Sequence, residues 1–264
     1  MITSTHNPKI QSIRALQTDS HARREQGAFV VEGTRLVEEA LHAGWEARLV
    51  IHTSDLTERG QRIIDSYAQR GAPLEEVAPH VMRAASDTQS PQGILAVLAI
   101  TPLEIPPSLD FIFIPDGVRD PGNMGALLRT AAAAGVEVVF LPPECVDPYA
   151  PKVVRAAMGA HFRLPMRTLS WGEIADLTHG MKAYLAAAQE GIPYTQVDFR
   201  QPVVLIVGGE ASGAGVHAQE LAIARVHIPM PGGSESLNTA VAGAILMYEV
   251  VRQRGRSANG NRKS

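Results

Sequence analysis

The chain has 264 residues, of which 45% are hydrophobic and 19% charged, and its formal net charge is −3. These values are typical of a globular protein with one large or two smaller domains, and they do not by themselves indicate nucleic-acid binding. The single cysteine, Cys145, excludes an internal disulfide bond and a multi-cysteine zinc site, and we expect it to be structural. No apolar run reaches the ~20 residues of a membrane span, and no signal-peptide core is present at the N-terminus, so we expect a cytoplasmic protein.

Strand and helix patterns alternate over the first hundred residues. A basic helical stretch follows the turn signal Asn7-Pro8 and ends near Gly27. Strands are predicted at 28–33, 47–53 and 92–100, and helices at 34–44, 60–71 and 81–87. This alternation predicts a small α/β domain. Residues 101–110 contain three prolines and no periodicity, which is typical of a linker, so we place a domain boundary near residue 105.

A second alternating region follows this linker. Strands are predicted at 111–116, 136–141, 181–188, 203–209 and 224–229. Helices are predicted at 124–134, 151–158, 171–178 and 217–222, with Asn123 capping the first, and a long last helix capped by Ser234 or Ser236. The pattern predicts a parallel sheet with helices on both faces and a ligand at the carboxyl ends of the strands. The predicted domains are therefore 1–104 and 105–254, followed by a basic, disordered tail at 255–264.

Three motifs lie where strands of this second region end. They are N-x-G-x-x-x-R from Asn123 to Arg129, G-G-E-x-x-G from Gly208, and I-P-M-x(5)-S-L-N from Ile228 to Asn238. Each motif alone is compatible with an ordinary strand-to-helix turn or a capped core helix. In this order, together, they closely resemble the motifs of the SpoU (TrmH-like) RNA ribose methyltransferases of the SPOUT class. The resemblance covers residues 1 to 254, because the N-terminal region is similar to the substrate-binding domain that precedes the catalytic domain in many of these enzymes.

The resemblance implies a fold, a reaction and a set of site residues. The fold is a parallel-sheet α/β trefoil-knot domain preceded by a small α/β RNA-binding domain, and the protein is a homodimer. The reaction moves a methyl group from S-adenosylmethionine to a ribose 2′-hydroxyl and needs no metal. The residues expected in catalysis are Arg129, Asn123, Glu210, Ser236 and Asn238. The residues expected to contact the methyl donor are Gly208, Gly209, Ile228, Met230, Ser236 and Leu237.

The chemistry of these residue types supports distinct roles. Gly208 and Gly209 let backbone approach the donor closely, because a Cβ would block it. An arginine pKa above ~12 makes Arg129 a poor base, so we expect it to bind a neighbouring phosphate and to stabilise the developing 2′-alkoxide, in its own or the partner subunit's site. Glu210 is expected to anchor this arginine or its own loop. A dinucleotide-dependent oxidoreductase is disfavoured, because neither Gly-rich loop has the spacing G-x-G-x-x-G at the first strand of a βαβ unit.

RNA contacts are predicted at four residues outside the motifs. These are Arg35, Gln92, Lys152 and Arg155, with His161 either on the same rim or a structural histidine. The extra N-terminal domain favours ribosomal RNA as the substrate, with transfer RNA as the alternative. A non-catalytic RNA-binding or ribosome-assembly factor is disfavoured, because such a protein is expected to have lost Arg129 or the G-G-E loop.

Overall fold

The computed structural model describes residues 1–210 and 213–255. The chain forms two compact units, Met1–Thr101 with Asp147–Arg163 and Pro102–Val146 with Leu164–Ser264. The first break lies close to the predicted boundary near residue 105. Residues 147–163, which the sequence analysis assigned to the second domain, belong to the first unit. The predicted disordered tail lies outside the described residues except for Gly255.

The helices and strands follow the predicted order closely. The helices are α1 (Pro8–Thr18), α2 (Ser20–Gln26), α3 (Thr34–His42), α4 (Glu58–Gln69), α5 (Pro79–Ala85), α6 (Pro121–Ala134), α7 (Pro151–Ala157), α8 (Trp171–Leu177), α9 (Val216–Leu221) and α10 (Thr239–Gln253). The strands are β1 (Ala28–Glu32), β2 (Ala47–His52), β3 (Leu74–Glu76), β4 (Ile94–Ala99), β5 (Phe111–Asp116), β6 (Val138–Leu141), β7 (Met166–Thr168), β8 (Lys182–Ala187), β9 (Ile192–Pro193), β10 (Val203–Gly208) and β11 (Ala224–His227). The single predicted N-terminal helix is in fact two, because Asp19 has an extended backbone and its side chain accepts from His21 N at the start of α2.

The first unit is built on a mixed sheet of four strands in the order β1-β4-β2-β3. Strand β4 is antiparallel to both β1 and β2, whereas β2 and β3 are parallel. Helix α7 of the segment 147–163 packs against strand β1 of this sheet. The nearly buried Arg23 forms an ion pair with Asp147, in which Nε lies 2.7 Å from Oδ2. This ion pair and the apolar contacts of α7 explain why the segment belongs to this unit rather than to the second.

His161 is a structural histidine of the first unit. Its ring is fully buried against Phe29 and Tyr149, and Nε2 lies 2.7 Å from the carbonyl oxygen of Pro148. Because burial disfavours the charged imidazolium, the pKa of His161 falls to about 4, so the ring is neutral at pH 7 and Nε2–H donates to the carbonyl. The alternative in which His161 faces RNA is therefore wrong.

The second unit is built on a sheet of seven strands, ordered β7-β6-β5-β10-β8-β11-β9, in which every neighbouring pair is parallel. One face of the sheet packs against α8 and α9 through Ile174 and Ala218. The other face carries α6 and α10, where Gly243 lies against Leu127 and Val207. The predicted α/β fold, with a parallel sheet and helices on both faces, is confirmed for this unit.

The registry of the central strands brings their carboxyl ends to one edge of the sheet. Asp116 at the end of β5 pairs with Gly208 at the end of β10, and Ala187 at the end of β8 pairs with His227 of β11. In parallel sheets this edge is where ligands bind. The loops that carry the three sequence motifs leave the sheet there. Within residues 1–210 and 213–255, no helix is long and apolar enough to cross a membrane.

Candidate functional site

Two side-chain caps fix the starts of the helices that follow the first and third motifs. Asp120 caps α6 by accepting from Asn123 N at 2.8 Å, and Pro121 takes the first helical position, which suits its fixed φ. Asn238 caps α10 by accepting from the backbone N–H groups of Ala240 and Val241 at 2.9 and 3.2 Å. The prediction that Asn123 caps α6 is wrong, because this helix begins earlier than predicted, at Pro121. The prediction that Ser234 or Ser236 caps α10 is also wrong, because that helix begins later than predicted, at Thr239.

A hydrogen-bonded chain joins all three motifs. The side-chain amide of Asn238 donates from Nδ2 to Asn123 Oδ1 at 3.0 Å. Asn123 in turn donates from Nδ2 to Oε1 of Glu210. Glu210 therefore interacts with Asn123, and within the described part of the chain no contact joins it to Arg129. The hydroxyl of Thr239 adds a further link, because it donates to the carbonyl oxygen of Gly208 at 3.1 Å.

The two glycines of the second motif are required by the protein's own backbone. A Cβ on Gly208 would lie 2.5 Å from Ala214 N, and a Cβ on Gly209 would lie 2.2 Å from the carbonyl oxygen of Gly117. Gly209 and Gly213 also form a bridge that folds the loop back on itself. Close approach of the loops of the first and second motifs is thus a second reason for Gly209, and close approach within its own loop is a second reason for Gly208, beside the predicted approach to a ligand.

Asp116 ties the same two loops together and was not singled out from the sequence. Its carboxylate is nearly buried at the end of β5 and accepts from Gly215 N at 2.6 Å, at the N-terminus of α9. Burial raises the pKa of Asp116 above its ordinary value, and the hydrogen bond from Gly215 opposes that rise.

Nearby, Cys145 donates from Sγ to the carbonyl oxygen of Pro115. Burial raises the pKa of its thiol to about 11, which agrees with the structural role expected for it.

A cavity of about 410 Å³ lies at this edge of the sheet. All six residues predicted to contact the methyl donor line it, as do the predicted catalytic residues Glu210, Ser236 and Asn238. The sequence analysis missed the part of the wall formed by β8 and α10. The missed lining residues include Ala186, Ala187, Ala188, Thr239 and Ala242. The only sequence signal for the three alanines was the run of small residues that ends a predicted strand.

Arg129 lies outside the wall of this cavity. It is exposed on α6, and in the described part of the chain no residue forms a hydrogen bond or ion pair with it. Six residues along an α-helix correspond to a rise of about 9 Å and a rotation of about 240°, so Arg129 projects from a different face of α6 than Asn123. The cavity and the predicted catalytic guanidinium therefore lie at separate places on the chain.

The residues predicted to contact RNA are exposed or half-buried in the first unit. Arg35, Gln92 and Arg155 line a cavity of about 320 Å³, and Lys152 is exposed on α7. Gln92 also has a structural role, since its Oε1 accepts from Thr34 N at 2.9 Å at the start of α3. The two arginines form ion pairs. Arg35 pairs with Glu39 at 3.2 Å and Arg155 with Asp87 at 2.7 Å.

Comparison with known proteins identifies the family. Residues 110–248 match the model of the SpoU rRNA Methylase family, and residues 7–96 match the model of the MRM3-like substrate binding domain. The chain belongs to the SpoU rRNA methylase family. Two relatives indicate the reaction and the methyl donor. The 23S rRNA (guanosine(2553)-2′-O)-methyltransferase RlmP of Bacillus subtilis is 32% identical over 94% of this chain and 98% of its own. The SpoU methyltransferase AviRb of Streptomyces viridochromogenes, solved in complex with AdoMet, is 28% identical with a TM-score of 0.85, over 95% of this chain and all of its own (100%).

A second solved structure supports the same conclusion. The AdoMet-bound rRNA methyltransferase of Sinorhizobium meliloti has a TM-score of 0.84 and 29% identity, and covers 95% of this chain and 97% of its own. The SpoU family predicted from the three motifs is thus confirmed. The enzyme class, an RNA 2′-O-methyltransferase, and the methyl donor, S-adenosylmethionine, are confirmed with it.

Proposed function

We propose that this SpoU-family enzyme binds S-adenosylmethionine in the 410 Å³ cavity and methylates a ribose 2′-hydroxyl of ribosomal RNA. The observation that carries the proposal is the convergence of the second and third motifs on one cavity, with Asn123 of the first motif hydrogen-bonded to both. The volume suits a ligand of this size, since small-molecule sites enclose about 300–1,000 Å³.

The lining fits the donor in its chemistry as well. Ile228 and Leu237 supply apolar surface to a cavity that is otherwise lined mostly by residues with small side chains or none. Backbone N–H and C=O groups near Gly208 and Ser236 are suited to recognise the edge of an adenine base. Within the described residues no group of three or more His, Cys, Asp or Glu side chains could hold a metal ion.

When bound, S-adenosylmethionine supplies a methyl group on a sulfonium, which departs with the S–C electron pair as a neutral thioether. The protein must hold the ribose oxygen in line with that bond and accommodate the proton that the hydroxyl loses. Arg129 is the catalytic residue in this proposal. Its guanidinium binds the phosphate next to the ribose and stabilises the negative charge that develops on the 2′-oxygen, and the proton leaves to that phosphate or to water.

The location of Arg129 supports a homodimeric enzyme in which it serves the partner subunit's cavity. It is exposed, it forms no hydrogen bond or ion pair within the described residues, and it does not line the cavity of its own subunit. On α10, the side chains of Val241 and Tyr248 are 47% and 50% exposed. Leu237, just before the start of this helix, is 36% exposed. An apolar face of this kind on the helix that borders the cavity is suited to burial against a second copy.

The trefoil knot is likewise a proposal. Strand β11 lies beyond β8 in the sheet, whereas α10 packs on α6 and β10, so the chain returns across the sheet between residues 228 and 238. This return is where a knot of the SPOUT kind would form around the donor.

The predicted division into an RNA-binding region (1–104) and a methyltransferase region (105–254) agrees with the two family matches, and we propose it here. We also propose a cytoplasmic location, as expected for an enzyme that acts on ribosomes.

The first unit is proposed to grip the RNA through Arg35, Gln92, Lys152 and Arg155. Three of these residues border one cavity, and the exposed ion pair between Arg35 and Glu39 is weak enough to be exchanged for a phosphate contact. Ribosomal RNA is favoured as the substrate, because two relatives that match nearly the whole chain, RlmP and the Sinorhizobium meliloti enzyme, are named as rRNA methyltransferases. Transfer RNA is the alternative.

The test is transfer of a labelled methyl group. Purified enzyme is incubated with tritiated S-adenosylmethionine and with ribosomal or transfer RNA from a strain that lacks the protein. We expect label in ribosomal RNA at one ribose, mapped by its resistance to alkaline cleavage. Label in transfer RNA alone contradicts the rRNA assignment, and no label in either RNA, with donor binding intact, contradicts the proposed substrate class.

A further inference from the structure

The hydrogen-bonded chain that joins the motifs has a fixed direction. The two backbone groups at the start of α10 that contact Asn238 are N–H donors, so the asparagine must turn its Oδ1 toward them. Its Nδ2 then faces Asn123, which must present Oδ1 in return and point its own Nδ2 at Glu210. An amide side chain has one accepting end and one donating end, so the start of the helix determines every orientation along the chain.

At the far end of this series of hydrogen bonds, Glu210 must act as an acceptor. Its Oε1 accepts from Asn123, and no residue of 1–210 or 213–255 forms a hydrogen bond or ion pair with its Oε2. Glu210 lines the cavity, and it is the one charged residue among the described side chains that do so. An ionised carboxylate offers only acceptor sites. The chain of amides therefore presents a fixed, negatively charged acceptor to whatever occupies the cavity.

We propose that Oε2 of Glu210 accepts a hydrogen bond from bound S-adenosylmethionine, and that Asn123 is the positioning residue that holds Glu210 in this orientation. The inference rests on the proposed donor site. S-adenosylmethionine has suitable donors in its α-ammonium and its ribose hydroxyls, and its positive charge matches the carboxylate. Asn123 does not line the cavity, so its contribution to donor binding acts through Glu210.

Exchanging the two side-chain types tests the direction of the chain. In Glu210→Gln the new amide must turn its oxygen toward the Nδ2 of Asn123, so it presents a donating NH₂ to the cavity. In Asn123→Asp two carboxylates face each other, and Glu210 is driven from its position. A hydrogen bond to a charged group contributes about 1.5–3 kcal/mol, so each single variant should bind S-adenosylmethionine about tenfold to a hundredfold more weakly.

The double variant Asn123→Asp/Glu210→Gln should recover much of that loss. Here the aspartate accepts from Asn238 and from the NH₂ of the new glutamine, whose oxygen then faces the cavity as an acceptor again. Isothermal titration calorimetry with S-adenosylmethionine should show the double variant binding more tightly than either single variant. If the double variant binds no better than Glu210→Gln, the proposal is wrong.

Controls separate this inference from the donor site itself. Glu144→Gln removes an exposed carboxylate of the same unit that pairs with Arg119 outside the cavity, and it should leave the affinity unchanged. Absence of binding to the wild type would contradict the proposed function rather than this inference. Asn123→Ala gives a second route, because it should weaken binding in the wild type and cause no further loss in Glu210→Gln. Additive losses would overturn the proposal.

A truncated ligand identifies which group of the donor is recognised. 5′-Methylthioadenosine keeps the ribose hydroxyls and lacks the α-ammonium. If Glu210→Gln weakens its binding as much as that of S-adenosylmethionine, a ribose hydroxyl is the hydrogen-bond donor. If the variant affects S-adenosylmethionine alone, the α-ammonium is the donor. Equal affinity of wild type and variant for both ligands contradicts the proposal.

Discussion

Gly209→Ala is predicted to separate the loops of the first and second motifs. The added Cβ would lie 2.2 Å from the carbonyl oxygen of Gly117 and 2.9 Å from its carbon, and both distances are shorter than a Cβ tolerates. The obstacle is backbone, so relief requires the two loops to move apart by about 1 Å rather than a side chain to rotate. Overpacking of this kind destabilises by about 1–3 kcal/mol, and we expect the upper end because no rotamer change relieves it. The melting temperature should fall by roughly 6–12 °C, at about 2–4 °C per kcal/mol.

The matched control is Gly232→Ala in the third motif. No atom lies within 4 Å of the Cβ it would add, so its stability should stay within about 0.5 kcal/mol of the wild type. Thermal and urea denaturation followed by circular dichroism measure both variants, and calorimetry with S-adenosylmethionine reports the donor site. We expect Gly209→Ala to lose donor affinity as well, because Glu210 follows it directly. If the two variants are equally stable, the close approach of the loops is not what requires glycine at position 209.

Three further predictions concern catalysis, stability and pH. Arg129→Lys keeps the positive charge but loses the bidentate fork, so turnover should fall about a hundredfold or more while donor affinity is unchanged; near-normal turnover in a single-turnover assay contradicts the assigned role. Arg254→Ala removes a side chain that is only 7% exposed and whose guanidinium forms an ion pair with Asp110 at 2.7 Å. Urea denaturation should therefore show a free energy of unfolding about 3 kcal/mol lower than that of the wild type. A loss below about 1 kcal/mol refutes that estimate. His161 has a pKa lowered to about 4, so the unfolded chain takes up a proton near pH 6.5 before the folded protein does, and stability falls as the pH drops through this window. Between pH 7 and pH 4.5 the wild type should lose about 2–3 kcal/mol more than His161→Phe, and equal losses contradict the buried neutral ring.

The order of elements could be predicted from the sequence because local patterns determine it. The apolar runs at 111–116 and 203–209, each ending in a Gly- or Pro-rich loop, predicted two strands of a parallel sheet, and the structure contains both and pairs them. Short edge strands could not be found in this way. Strand β7 has three residues and β9 has two, and neither is long enough to show alternation.

The cavity was predicted less completely than its motifs. The six donor-contacting residues lie in loops with an unusual combination of Gly, Pro and polar side chains, so local sequence identified them. The wall formed by β8 was missed, because Ala186 and its neighbours look like any small-residue strand end until the sheet places them beside Gly208. The partners of Glu210 were missed for the same reason, since its contact with Asn123 joins residues 87 positions apart in the sequence.

A structure of the enzyme with S-adenosylmethionine bound would test the central claim most directly. The account predicts the donor in the 410 Å³ cavity, with its adenine between Ile228 and Leu237 and an N–H or O–H group within hydrogen-bond distance of Glu210. A donor bound elsewhere on the chain, or a donor in this cavity with the Arg129 side chains of both subunits remote from its methyl group, would contradict it.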